Sequence, residues 1–130
     1  LLIMDDEPSI RDITQRMLRK VGYEVTTAAH GEEALQLYQV ARDQGQPFRA
    51  VILDLTIPGG LGGRETFLRL KAMDPGVCAL VASGYSDETL TETLALGFAG
   101  VVPKPFTAAE LVQTVQGILA HRPPSGDSPV

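Results

Sequence analysis

The sequence predicts an α/β domain built on a parallel sheet. Two observations carry this expectation. Short apolar runs of about four or five residues recur along the chain, and longer stretches with a helical hydrophobic rhythm separate them. Runs this short and this rich in Val, Ile and Leu suit strands that are covered on both faces. Regular alternation of the two kinds of element predicts right-handed crossovers between neighbouring strands.

The first run, Leu1–Met4, opens the chain without an initiator methionine, which predicts a segment cut from a longer protein. A helix follows, in which Ile10, Ile13, Met17, Leu18 and Val21 recur with the spacing of one helical face. Pro8 suits its first turn and Gly22 closes it. The second run is Val25–Ala28. The second helix starts near Gly31 and presents Ala34, Leu35, Tyr38 and Ala41. The third run, Ala50–Leu53, leads to a helix from about Gly63 that carries Phe67, Leu68 and Leu70 and stops before Pro75. The fourth run is Val77–Val81, and its helix runs from about Asp87 through Leu90, Leu94 and Ala95 to Gly97. The fifth run, Gly100–Val102, precedes a helix opened by the capping box Thr107-Ala-Ala-Glu110. That helix places Leu111, Val112, Val115, Ile118 and Leu119 on one face. After His121 the periodicity ends in Arg-Pro-Pro-Ser-Gly-Asp-Ser-Pro-Val. The domain is therefore expected over residues 1–121, with 122–130 as a disordered linker or tail.

Composition narrows the function. The 130 residues carry 11 Lys+Arg against 16 Asp+Glu, a formal net charge of -5, which argues against direct binding to nucleic acid. Aromatic residues make up 5%, with no tryptophan, which is poor material for stacking bases. The single cysteine, Cys78, rules out an internal disulfide and a multi-cysteine zinc site, and its place in a strand predicts inert core filling. His30 and His121 lack metal-ligand spacing and read as surface or capping residues. No apolar run approaches the roughly 20 residues that span a bilayer, so no membrane contact is expected from this segment.

In open parallel sheets, ligands bind beyond the carboxyl ends of the strands. The residues expected there are Asp5, Asp6 and Glu7 after the first strand, Asp54 after the third, Ser83 after the fourth and Lys104 after the fifth. Three carboxylates brought together repel one another, by about 4 kcal/mol per pair at about 4 Å in an effective dielectric near 20. Either one takes a proton or a divalent cation sits among them. The donors are all oxygen, which selects a hard ion, with Mg²⁺ preferred. A lysine and a hydroxyl facing that ion complete a clamp for a phosphoryl group, and a nucleophilic carboxylate would accept the group as an aspartyl-phosphate. Singly, each residue has a plainer reading: Asp5 and Asp6 as helix caps, Asp54 and Ser83 as turn residues, Lys104 as a solvated loop lysine. Their joint placement at successive strand ends outweighs these.

The pattern resembles the receiver domain of two-component response regulators. The resemblance rests on Asp5-Asp6 in Met-Asp-Asp-Glu-Pro, Asp54 and Pro58 in Leu-Asp-Leu-Thr-Ile-Pro, Ser83 in Ala-Ser-Gly-Tyr and Lys104 in Pro-Lys-Pro-Phe, and it covers about residues 1–121. It implies a flavodoxin-like (βα)5 doubly wound fold with strand order 2-1-3-4-5. It implies Asp54 as phosphoacceptor, taking the group from a phosphohistidine of a histidine kinase or histidine phosphotransfer domain. It also implies a Mg²⁺ ion held by Asp5, Asp6, Asp54 and the Thr56 carbonyl, with Lys104 and Ser83 on the phosphoryl oxygens. Signalling is then a population shift of the surface made by the fourth helix, fifth strand and fifth helix, a face that also suits a homodimer. The implied location is the cytoplasm, with a parent chain that is membrane-anchored or not.

Three features depart from the family pattern. Val101 stands three residues before Lys104, where an aromatic switch residue is usual. Gly59-Gly60-Leu61-Gly62-Gly63 replaces a shorter turn, and no effector domain follows. The glycine-rich stretch, which is similar to that of receivers at the ends of hybrid sensor kinases, together with the truncated start favours the C-terminal receiver of a hybrid sensor histidine kinase over a transcription factor. Thr56 and Tyr85 occupy the two positions that tune phosphate lifetime in the family, and Tyr85 is expected to shield the phosphoryl group from water. The rival functions are a degenerate receiver used for docking and a phosphatase that forms an aspartyl-phosphate. The phosphatase usually needs a second aspartate where this chain has Thr56.

Overall fold

The computed structural model describes residues 1–54, 63–83, 97–103 and 107–120. Over these it contains β1 (Leu2–Met4), α1 (Pro8–Lys20), β2 (Thr26–Ala28), α2 (Gly31–Asp43), β3 (Val51–Asp54), α3 (Gly63–Met73), β4 (Ala79–Ser83), β5 (Gly100–Pro103) and α4 (Ala108–Ala120). The strands form one parallel sheet in the order β2-β1-β3-β4-β5, as expected. The helix expected from about Asp87 lies outside the described residues, as does the 121–130 segment.

Side chains alternate between the two faces of the sheet and build two cores. Ile3, Ile52, Leu80, Ala82 and Val102 point to one face, where Leu18 of α1 and Leu111, Val115 and Leu119 of α4 cover them. Leu2, Met4, Val51, Leu53 and Val81 point to the other, under Ala34 and Tyr38 of α2 and Phe67 and Leu70 of α3. Cys78 is buried in the first core, in keeping with a filling role. Phe67 and Phe98 stack with ring centroids 4.0 Å apart, so Phe98 is a packing residue.

Local chemistry explains the element ends. Pro8 occupies the start of α1, where its missing N–H costs nothing. Beyond the cap at Val21, Gly22 takes a φ of 105°, the left-handed conformation that glycine adopts without strain. The capping box of α4 forms in both directions: the Glu110 N–H donates to Thr107 Oγ1 and the Thr107 N–H donates to Glu110 Oε1, each at 3.1 Å. Gly100 allows β5 and α4 to meet closely, since a Cβ there would stand 2.5 Å from Ile118 Cδ1.

Three sequence expectations need adjustment. In α1, Ile13 and Val21 are 50% and 46% exposed, whereas Thr14 and Leu18 are buried. At about 100° per residue, Ile13 lies roughly 120° around the helix from the midpoint of Thr14 and Leu18. The apolar arc is thus wider than the stripe the sheet covers, and Val21 falls past the last helical residue. In α3, Leu68 is exposed and Thr66 takes a buried place beside Phe67 and Leu70. The fourth strand is Ala79–Ser83, displaced toward the C-terminus from the expected Val77–Val81. Its ladder with β3 extends to Asp54↔Ala82, and backbone pairing decides the end of the strand, not hydrophobicity.

Candidate functional site

The C-terminal edge of the sheet gathers the acids. In the ladder between β1 and β3, Met4 pairs with Leu53, which sets Asp5 and Asp54 side by side one residue further on. Ligand oxygens of Asp5, Asp6 and Asp54 all lie within 4.8 Å of one another. Asp5 and Asp54 are 4% and 2% exposed, and Asp6 faces solvent. The expected juxtaposition of three acids from two strand ends is therefore present. Asp54 is the last residue of β3, one step earlier than a position after the strand.

The β1–α1 connection holds the pair in place. The Asp5 N–H donates to the Ala28 carbonyl at 3.1 Å, which continues the β1–β2 ladder. The Glu7 N–H donates to Asp5 Oδ1 at 3.0 Å, a short side-chain turn of the kind aspartate favours. Arg11 Nη1 donates to the Asp5 carbonyl oxygen at 2.7 Å. Sequence reasoning missed Arg11. The available signal was a cation in the first turn of a helix, where the backbone dipole disfavours positive charge.

The neighbouring β2–α2 junction is braced in a similar way. His30 caps α2, its Nδ1 accepting from the Glu33 N–H at 3.2 Å, and Glu33 Oε1 accepts from the Ala29 N–H at 2.7 Å. Capping was one of the two roles expected of His30.

Toward the other side of the edge, Asp54 pairs with Ala82, and Ser83 closes β4 opposite Pro103 of β5. The backbone thus brings the strand positions of Asp54, Ser83 and the residue before Lys104 to one edge. Lys104, Thr56 and Tyr85 themselves lie outside the described residues, as does the Gly59–Gly62 stretch. Val101 is partly buried against the core beneath α2 and α3.

The donor set suits a hard divalent cation. Among the described residues it consists of three carboxylates close enough to share one ion, two of them buried. Such an ion would remove the repulsion that the cluster otherwise carries. Asp5 Oδ1 also accepts from the Glu7 N–H, which fixes the direction of the carboxylate.

Comparison with known proteins bears on this edge. The family description "Response regulator receiver domain" matches residues 1–116. The transcriptional regulatory protein PrrA of Mycobacterium tuberculosis (strain ATCC 25618 / H37Rv) is 35% identical over 124 residues, which cover 94% of this chain and 50% of PrrA. The sporulation initiation phosphotransferase F of Bacillus subtilis (strain 168) is 30% identical over 120 residues, 92% of each chain. Among solved structures, the receiver domain of NtrX from Brucella abortus superposes with a TM-score of 0.81 at 28% identity, covering 93% of this chain and 98% of that one. The chemotaxis protein CheY4 of Vibrio cholerae gives 0.78 at 34% identity, covering 90% and 95%. The chain spans about half the length of the first curated relatives it matches.

Proposed function

The chain belongs to the response regulator receiver family, the phosphoacceptor module of two-component signalling, and we propose that Asp54 is the residue that accepts the phosphoryl group. The observation that carries this assignment is the gathering of Asp5, Asp6 and Asp54 oxygens within 4.8 Å at one sheet edge. Asp54 is the central acid of that edge. It lies at the end of a middle strand, paired with Ala82 of β4 and one residue beyond the last rung shared with β1.

In the proposed step, an Asp54 carboxylate oxygen attacks the phosphorus of a phosphohistidine presented by a histidine kinase or phosphotransfer domain. A P–O bond forms, the P–N bond breaks, and the imidazole leaves with the electron pair and takes up a proton. Asp5, Asp6 and Asp54, with the Thr56 carbonyl, would hold Mg²⁺. When bound, the ion supplies positive charge against the phosphoryl oxygens. In this reading Lys104 would hold one phosphoryl oxygen and Ser83 would donate to another. Burial of Asp5 and Asp54 keeps water from solvating these acids and strengthens every charge interaction at the edge.

We place the folded unit over residues 1–121, with 122–130 as a tail. The net charge of -5 supports a partner other than nucleic acid for this segment. The two curated relatives named above are a transcriptional regulatory protein and a phosphotransferase, and the output of this chain would pass through whatever its switching surface engages, including a second copy. No helix among the described residues is long and apolar enough to cross a membrane; the cytoplasmic setting is proposed from the family alone.

Phosphotransfer from a labelled phosphohistidine donor tests the assignment. Wild type should acquire acid-stable, base-labile label in the presence of Mg²⁺, and Asp54→Asn should acquire none. Equal labelling of both proteins would remove Asp54 from the mechanism.

A further inference from the structure

Arg11 occupies the first turn of α1, a place where the helix dipole opposes a cation. Its Nη1 nevertheless reaches back to the Asp5 carbonyl oxygen at 2.7 Å, in a partly buried contact. A charge-assisted bond of that length is a strong one. The next peptide group along the chain is also fixed, since the Glu7 N–H donates to Asp5 Oδ1 at 3.0 Å. The Asp5 carbonyl belongs to the peptide before Asp6, and the Glu7 N–H belongs to the peptide after it. Both peptide groups that flank Asp6 are therefore tethered, one through oxygen and one through nitrogen.

This matters because the three acids are held differently. Asp5 and Asp54 are buried and positioned by packing and by the strand ladders. Asp6 is exposed, so packing does not fix its direction. Its backbone supports do.

From this geometry we infer that Arg11 is a positioning residue for the metal site. By gripping the Asp5 carbonyl it sets the direction in which Asp6 leaves the strand end, and so brings the Asp6 carboxylate to a cation shared with Asp5 and Asp54. The inference rests on the proposed reading of these three acids as the Mg²⁺ site. A guanidinium near a cation also repels it, which gives the two effects opposite signs. Solvent screens the repulsion at a half-buried side chain. The loss of an outer-shell partner typically costs about 10- to 100-fold in metal affinity. Positioning is the larger effect.

The test is Mn²⁺ binding to the full chain, read from the electron paramagnetic resonance signal of the free ion. Wild type, Arg11→Ala, Arg11→Lys and Asp6→Asn are compared, and each is also melted in EDTA. Arg11→Ala should bind Mn²⁺ about tenfold more weakly. Arg11→Lys keeps the charge but lacks the planar fork, so its affinity should fall by less. Both Arg11 variants should melt in EDTA close to wild type. Unchanged or tighter Mn²⁺ binding by Arg11→Ala would overturn the positioning role, because repulsion alone predicts that sign. Weaker binding accompanied by a large loss of EDTA melting temperature would also overturn it, since Arg11 would then be merely structural. If Asp6→Asn binds Mn²⁺ as wild type does, the metal-site reading itself fails, whatever the Arg11 variants do.

Discussion

Carboxylates are used in opposite ways at the two ends of the sheet. Asp74, in the turn after α3, is surrounded by donors. Its Oδ2 accepts from the Tyr38 hydroxyl at 2.7 Å and lies 3.9 Å from Arg42 Nε, while its Oδ1 accepts from the Gly76 N–H at 3.0 Å. Arg42 Nη1 also donates to the Met73 carbonyl at 2.8 Å. One charge, answered on every side, ties α2 to the α3–β4 turn. At the C-terminal edge, Asp5, Asp6 and Asp54 face one another within 4.8 Å. Like charges drawn together repel, and a cation shared among them would relieve that repulsion. The first arrangement stabilises the chain, and the second gives it chemistry.

Substitutions at the two ends should therefore fall into separate classes. The largest effect belongs to Asp54→Asn, which should lose all stable phosphoryl label and keep a cooperative melting transition. If Asp54→Asn instead fails to fold, the acidic end also carries stability and the contrast collapses. Tyr38→Phe comes next. It removes a donor from a half-buried carboxylate, and should cost about 1–2 kcal/mol in urea unfolding. Phosphoryl labelling of the folded fraction should be unchanged. A Tyr38→Phe protein that unfolds like wild type would show that Asp74 does not need the hydroxyl.

A third substitution places the stabilising kind of bond beside the acidic end. His30→Ala removes the cap of α2 and should cost about 1 kcal/mol, whereas His30→Asn should restore or exceed wild-type stability. Equal stability of all three proteins would deny the cap any role. The smallest effect is the most diagnostic. Asp6→Asn in EDTA should be more stable than wild type by about 0.5 kcal/mol, the scale of a screened surface charge pair. Wild type should overtake it when Mg²⁺ is added, because ligand binding to the folded state adds stability. A less stable Asp6→Asn in EDTA would mean that the acids do not repel as described.

The sheet was legible in the sequence because its three central strands, β1, β3 and β4, are buried on both faces and read as apolar runs. Strand ends were less legible. The apolar run stops at Leu53, but burial and the β3–β4 ladder both carry on to Asp54 and Ala82, so the chemistry sits in the last rung. The helix faces were legible in outline only. Ile13 and Thr14 exchange places because packing over the sheet selects one part of a wide apolar arc, and that choice depends on neighbouring helices that periodicity does not contain. At the site, Asp5, Asp6 and Asp54 announced themselves as charges at the ends of apolar runs. Arg11 did not, since its partner is a main-chain oxygen, which every residue has.

The parity of the sheet has a further consequence. Ile52 belongs to one core and Leu53 to the other, and Asp54 follows them at the end of the same strand. A slip of β3 by a single residue would move it by about 3.3 Å and send each of these side chains to the wrong layer. The same slip would part Asp54 from Asp5. Two oily interiors thus proofread the alignment of the charged rim, and a molecule able to fold at all has already aimed its acids.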